Sequence, residues 1–234
     1  MFHPTRWLSS LLALCLTFTV YAQDFESTKR AAEKGDVRAQ NNLGAMYERG
    51  LGVAQNNAEA EQWYRKAAGQ GYAVAQYNLG VMYVMGQGVA QNYAEAEQWF
   101  RKAAEQGDAP AQYNLGVMYA NGDGVAQNHA QAEQWYRKAA EQGHVLAQYN
   151  LGSMYLTGQG VAQNAAEAAQ WFRKAAEQGD AEAQYFLGLM YAKGTGVTQS
   201  YAEAEKLMSK AAEQGYKGAA AMLEAIKQDA AQAQ

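Results

Sequence analysis

The chain has 234 residues and a formal net charge of -4, from 19 Lys and Arg against 23 Asp and Glu. A mildly acidic surface excludes a general nucleic-acid binder, which needs Lys and Arg to displace counterions from phosphates, and a 12% share of aromatic residues excludes disorder. Two Pro, 23 Gly and many Ala describe instead a helical chain broken at regular intervals.

The first segment reads as an address. Arg6 and the amino terminus precede an uncharged, mostly apolar stretch from Leu8 to Val20, and Val20-Tyr21-Ala22 supplies a cleavage site. A secretory signal peptide is therefore expected over residues 1–22; its 13-residue apolar core is shorter than the roughly 20 residues a membrane-spanning helix requires. Cys15, the only cysteine, falls inside it and follows Leu14, where a lipoprotein site needs a small residue. The mature chain then carries no disulfide and no thiol nucleophile. Its expected location is outside the cytoplasm, in a bacterial periplasm, with the extracellular medium as the alternative. No later segment is apolar enough for stable membrane insertion.

From residue 35 onward one period governs the chain. Gly35, Gly71, Gly107, Gly143, Gly179 and Gly215 are spaced by 36, and so are Leu43, Leu79, Leu115, Leu151 and Leu187. Tyr47 to Tyr191 and Trp63 to Trp171 keep the same step. Five repeats follow, 36–71, 72–107, 108–143, 144–179 and 180–215, with a capping half-repeat over 23–35, a capping helix over 216–228 and a flexible tail over 229–234.

Each repeat spells two helices. In 108–143, Asp108 is placed to cap helix A and Pro110 sits in the first turn, where its missing N–H is harmless. Ala111, Leu115, Met118 and Tyr119 share one face, and Gly122-Asp123-Gly124 ends the helix. Helix B starts at Asn128, equivalent to Asn56, Asn92, Asn164 and Ser200. Glu59, Glu95, Gln131, Glu167 and Glu203 stand three residues later, which predicts a reciprocal capping box. Ala132, Trp135, Tyr136 and Ala139 form the buried stripe of helix B. Glu61-Arg65, Glu97-Arg101 and Glu133-Arg137 are spaced as ion pairs worth a few tenths of a kcal/mol each, about 0.3. A single hairpin cannot bury its own apolar face, so neighbours must stack on it. The fold class expected is an all-α solenoid of helix-turn-helix repeats.

The string Ala111-Gln112-Tyr113-Asn114-Leu115-Gly116-x-x-Tyr119-x-x-Gly122-x-Gly124-Val125, with Ala132-x-x-Trp135-x-x-x-Ala139-Ala140-x-x-Gly143, resembles the Sel-1-like repeat, a relative of the tetratricopeptide repeat. The likeness runs from residue 24 to about 228. It implies a right-handed α-α superhelix acting as an adaptor for protein complexes. Asn or Ser stands where that family often has Asp at the second helix start, and the paired cysteines of its disulfide-rich bacterial branch are missing.

Chemistry-bearing patterns are sparse. His129 and His144 each replace a different residue in other repeats and read as solvated positions at helix starts. No metal-ligand spacing or EF-hand pattern occurs, so neither metal nor cofactor is expected. Ser153 follows Gly152 but lacks the rest of a nucleophile elbow, and no Ser-x-x-Lys is present. The recurring Gly-x-Gly follows a helix and lacks Gly-Lys-Ser/Thr, which makes it a structural turn. A hydrolase of β-lactams or envelope peptides, by analogy with the disulfide-rich relatives, is the enzymatic alternative; a self-associating structural protein is another.

Positions that differ between copies locate the expected binding face. On helix A, Tyr77, Val81 and Met85 lie two residues, about 200°, from the Leu79 stripe. Their equivalents are Asn41 in repeat one, Tyr113, Val117 and Asn121 in repeat three, Tyr149 and Ser153 in repeat four, and Tyr185, Leu189 and Lys193 in repeat five. By resemblance to tetratricopeptide arrays these line a concave, Tyr-rich groove that holds a peptide segment or helix of another protein. Packing between neighbouring A helices is the competing role for the tyrosines. Asn42, Asn78, Asn114 and Asn150 are expected to make helix–helix hydrogen bonds, and the Met46-to-Met190 series to be core. The predicted protein is a monomeric, non-enzymatic adaptor.

Overall fold

A computed structural model describes residues 24–232; the expected signal peptide over 1–22 lies outside the described residues. Those residues form helices joined by turns and no strand. Helix α1 spans 24–33. The A helices are α2 (Val37–Arg49), α4 (Ala73–Met85), α6 (Ala109–Asn121), α8 (Val145–Thr157) and α10 (Ala181–Lys193). The B helices are α3 (Asn57–Gly69), α5 (Tyr93–Glu105), α7 (His129–Glu141), α9 (Ala165–Glu177) and α11 (Tyr201–Glu213), and α12 (Ala219–Gln232) closes the series. The fold is an all-α solenoid of helix-turn-helix repeats. Residues 229–232, expected to begin a flexible tail, are helical: Asp229-Ala230-Ala231-Gln232 contains no breaker and two of the strongest helix formers.

The B helices start where the capping pattern puts them. Asn92, Asn128 and Asn164 each accept the backbone N–H three residues on at 3.1 Å, and Ser200 accepts from Glu203 at 3.3 Å. The other half of the expected box takes a different form. The cap's own N–H donates to a helix A carbonyl instead of to the Gln or Glu side chain three residues on: Asn128 to Tyr119 and Asn164 to Tyr155, both at 2.8 Å. That bond ties the start of each B helix to the preceding A helix. Glu167 is released by it and accepts the Trp171 indole N–H at 3.1 Å.

The chain divides into two compact units, one ending at Asp108 and the other beginning at Ala109. In the first, α2 to α5 pack in sequence. Leu43 and Trp63 share a cluster with Phe25 and Ala32 of α1, and Tyr64, Leu79 and Met82 form the next. In the second, α6 to α12 pack in sequence, around Tyr136, Leu151, Met154 and Trp171, then Phe172, Leu187 and Met190, then Met208 and Ile226. Fully burying a side chain such as Phe172 contributes about 1.5–3 kcal/mol. The helix A glycine makes room for these rings. A Cβ on Gly152 would lie 2.9 Å from the Phe172 ring, and one on Gly116 2.4 Å from Tyr136.

Within each unit a buried glutamine stitches successive repeats. Gln148 donates to the Ala140 carbonyl of the preceding B helix at 3.0 Å and accepts from Gln178, at the end of its own B helix, at 2.8 Å. Gln40, Gln76 and Gln184 repeat both bonds. A buried amide without partners costs about 1–3 kcal/mol, so these satisfied ones fix register as well as stability. The expected ion pairs form at Glu61-Arg65, Glu97-Arg101 and Glu133-Arg137. Arg65 also donates to the Tyr83 hydroxyl at 2.6 Å and Arg173 to that of Tyr191 at 2.9 Å. The Met series is core: Met82, Met118, Met154 and Met190 are buried, while Met46 is half-buried.

Candidate functional site

In the first unit the helix A face differs from copy to copy. Asn41 is buried and accepts from Asn78 Nδ2 at 3.1 Å, a helix–helix bond of the kind expected of the Asn series. Tyr77 is half-buried with its ring 5.8 Å from Phe100. Val81 is half-buried as well, and Met85 is 63% exposed.

In the second unit the tyrosines pack against aromatic rings of their own repeat and of the next one. Tyr113 stacks on His144 at 4.6 Å and lies 5.9 Å from Tyr136; Tyr149 lies 5.6 Å from Phe172, and Tyr185 5.0 Å from Tyr216. Burial pushes the Tyr113 phenol above its ordinary pKa, with the Asn150 hydrogen bond acting the other way. Burial, then the hydrogen bond to Glu182, does the same to Tyr149 more strongly. Both stay protonated donors at neutral pH.

Tyr113, Val117, Asn121 and Ser153 come together around a cavity of about 340 Å³ between α6 and α8. Ala120, Met154 and Tyr136 complete the apolar wall. Asn150, hydrogen-bonded to the hydroxyls of Tyr113 and Tyr136, supplies an amide. His129 and Gln159 close one end, their Nε2 atoms 3.1 Å apart. No carboxylate, Lys or Arg is among the residues that line the cavity. The lining can hold an uncharged group that offers both apolar surface and hydrogen-bonding atoms. Leu189 and Lys193 wall a different hollow of about 210 Å³ with Leu156 and Phe186.

His144 departs from the solvated role expected for it. It is half-buried, caps α8 by accepting the Ala147 N–H on Nδ1 at 3.3 Å, and stacks on Tyr113. Burial lowers its pKa. His129 and Gln159 were absent from the expected groove, yet their positions vary between copies as much as the helix A face does. Asn57, Tyr93, His129, Ala165 and Tyr201 are equivalent, and so are Leu51, Gln87, Asp123, Gln159 and Thr195. Applied to the turns, the same criterion finds them. Among the described residues no three His, Cys, Asp or Glu side chains gather as a metal site, and no helix is long and apolar enough to cross a membrane.

Stacked helix pairs with a recurring buried frame and a helix A face that changes between copies define a tetratricopeptide-like repeat protein. The Sel1 repeat model matches residues 37–72, 73–108, 109–144, 145–180 and 181–216, and the chain belongs to the Sel1 repeat family. Sel1 repeats form a protein-interaction scaffold fold and are generally non-catalytic. The chain is similar to c5321, a protective antigen present in uropathogenic Escherichia coli strains, at 47% identity and a TM-score of 0.84 over 85% of this chain. It spans 43% of that protein, less than half its length. It is similar also to a Sel1 repeat protein from Oxalobacter formigenes, at 37% identity and a TM-score of 0.75, covering 90% of this chain and 88% of that one. A more distant likeness, 26% identical with a TM-score of 0.51 over 86% of this chain and 73% of that one, is to the immunity protein PA5088 from Pseudomonas aeruginosa. No curated protein matches the chain.

Proposed function

We propose that the protein is an exported bacterial adaptor, non-enzymatic and monomeric, that holds a peptide segment or helix of another protein against its A helices, with the Tyr113 cavity as the anchor point. The observation that carries this reading is the cavity wall itself: Tyr113, at a position that is Tyr in four of five copies, stands with Val117, Asn121 and Ser153, whose positions vary between copies, whereas the Leu, Met and Gly positions beneath them do not. Tyr presents broad apolar surface and one hydrogen-bonding group at low entropic cost, which suits protein recognition. An uncharged wall with amide and hydroxyl groups suits main-chain atoms or a neutral side chain of a bound segment.

The test places a photo-crosslinking residue at Ser153 or, as control, at the exposed Gln134 on α7. In envelope extract a discrete crosslinked protein is expected from position 153 alone, and Val117→Arg should remove it without changing helical content. Equal crosslinking at both positions would sink the proposal. So would turnover of a chromogenic β-lactam that Ser153→Ala abolishes, which would make the protein a hydrolase.

A further inference from the structure

Four B helices carry a tryptophan at the same position, Trp63, Trp99, Trp135 and Trp171; the fifth has Leu207. The surroundings of Trp171 show how one of these rings is held, with an N–H bond that Trp99 and Trp135 do not make. It is 5% exposed and clusters with Ala140, Leu151 and the half-buried Tyr155. Its N–H donates to Glu167 at 3.1 Å, and the Lys174 ammonium lies 3.9 Å from the ring. A shift of one 36-residue period converts these five neighbours into Ala176, Leu187, Tyr191, Glu203 and Lys210. All five, with Leu207, line a cavity of about 140 Å³ between α9, α10 and α11. Every part of the indole's seat is repeated in the last repeat except the indole.

A second departure lies four residues before Arg173, which lines the cavity. Ala169 replaces the glutamate that stands at 61, 97 and 133. Arg65, Arg101 and Arg137 each pair with that glutamate, whereas Arg173 donates to the Tyr191 hydroxyl at 2.9 Å with no carboxylate four residues before it. Lys206 stands where the earlier copies have Gln62, Gln98, Gln134 and Gln170, and its ammonium is 3.7 Å from Glu203. The cavity therefore carries three cations, Arg173, Lys206 and Lys210, against Glu177 and Glu203. The ring and the carboxylate that other repeats supply from within the chain are both missing at one place.

We propose that this hollow is a second binding site, which takes an indole side chain next to a carboxylate from a partner polypeptide. The ring enters against Leu187 and Leu207 beneath Lys210, where a cation over an aromatic face is attractive. Its N–H donates to Glu203, and the neighbouring carboxylate pairs with Arg173, whose planar fork suits that geometry. The site shares no residue with the Tyr113 cavity and stands or falls separately from it.

The probe is N-acetyl-Glu-(5-fluoro-Trp)-amide, followed by fluorine NMR on addition of the purified protein. A saturable shift is expected, and the Gln analogue of the peptide should bind about tenfold more weakly, the loss of roughly one charge-assisted hydrogen bond. Leu207→Trp supplies the ring from within: Tm should rise by about 2–4 °C and the peptide shift should vanish. Ala169→Glu should leave melting unchanged and remove the preference for Glu over Gln. The proposal is overturned if millimolar peptide gives no shift with the wild type, if Leu207→Trp lowers Tm, or if the shift survives in that variant.

Discussion

Two turns alternate along the chain, and glycine ends a helix at both, but the two hold their glycines in place for different reasons. In the turn from helix B to helix A, Gly143 has a φ of +90° and nothing near its missing side chain. In the turn from A to B, Gly160 has a φ of +75° and a Cβ there would lie 2.6 Å from the backbone of His129, which opens the preceding B helix. That turn is also tied down locally, by Gln163 Nε2 donating to the Leu156 carbonyl at 2.8 Å and Asn164 N–H to Tyr155. The B-to-A turn reverses the chain and leaves open space where its glycine's side chain would be, although the Gly143 carbonyl accepts from Gln178 at 3.1 Å. The A-to-B turn reverses it and also docks one repeat on the one before.

The largest effect that tests this contrast is Gly160→Ala. Left-handed strain of about 1–2 kcal/mol adds to the displacement of His129, and overpacking of that kind costs about 1–3 kcal/mol. A total near 3 kcal/mol should lower Tm by about 10 °C. Gly143→Ala carries the conformational strain alone, about 1–2 kcal/mol, and should lower Tm by about 2–8 °C. Equal losses in the two variants would break the distinction between the turns.

The smallest effect sharpens it through pH. His144 follows Gly143 and caps α8 with an unprotonated Nδ1, and burial lowers its pKa in the folded protein. As pH falls, the unfolded chain takes up this proton first, near the ordinary histidine value of about 6.5. The stability His144 contributes is complete above that pH and is lost as pH drops below it toward the lowered folded value. An imidazolium at a helix N-terminus is also disfavoured by the helix dipole. His144→Asp caps with an ionised carboxylate, as Asp180 does at α10, and should flatten the dependence of Tm between pH 7.5 and 5.5. An identical pH slope in the two proteins would mean that the cap does not titrate.

Much of the fold could be read before any coordinates. The step of 36 residues shows which positions are alike, and amphipathic spacing shows which face is buried; Leu151, Met154 and Trp171 are core for both reasons. What stayed hidden is which unlike positions meet. Gln148 and Gln178 are 30 residues apart, and an amide can donate or accept, so neither pattern nor polarity identifies the pair. Asn164 and Glu167 match a capping box, but the amide that the Glu side chain would have satisfied is taken by Tyr155 through space. The Tyr113 face was legible as a variable stripe. Its cavity was not, because His129 and Gln159 reach it from a helix start and from a turn that belong to different repeats.

The glutamine at each junction has a consequence for how such a chain changes over generations. Its two bonds reach eight residues back and thirty residues forward, to an Ala carbonyl and a Gln amide that recur in every copy. Recombination that deleted 144–179 would bring Gln184 against the Ala140 carbonyl in place of that of Ala176, with Gln214 unchanged on its other side. Copy number can thus shift by whole units without orphaning a buried amide, and such a gene can lengthen or shorten its product in a single event.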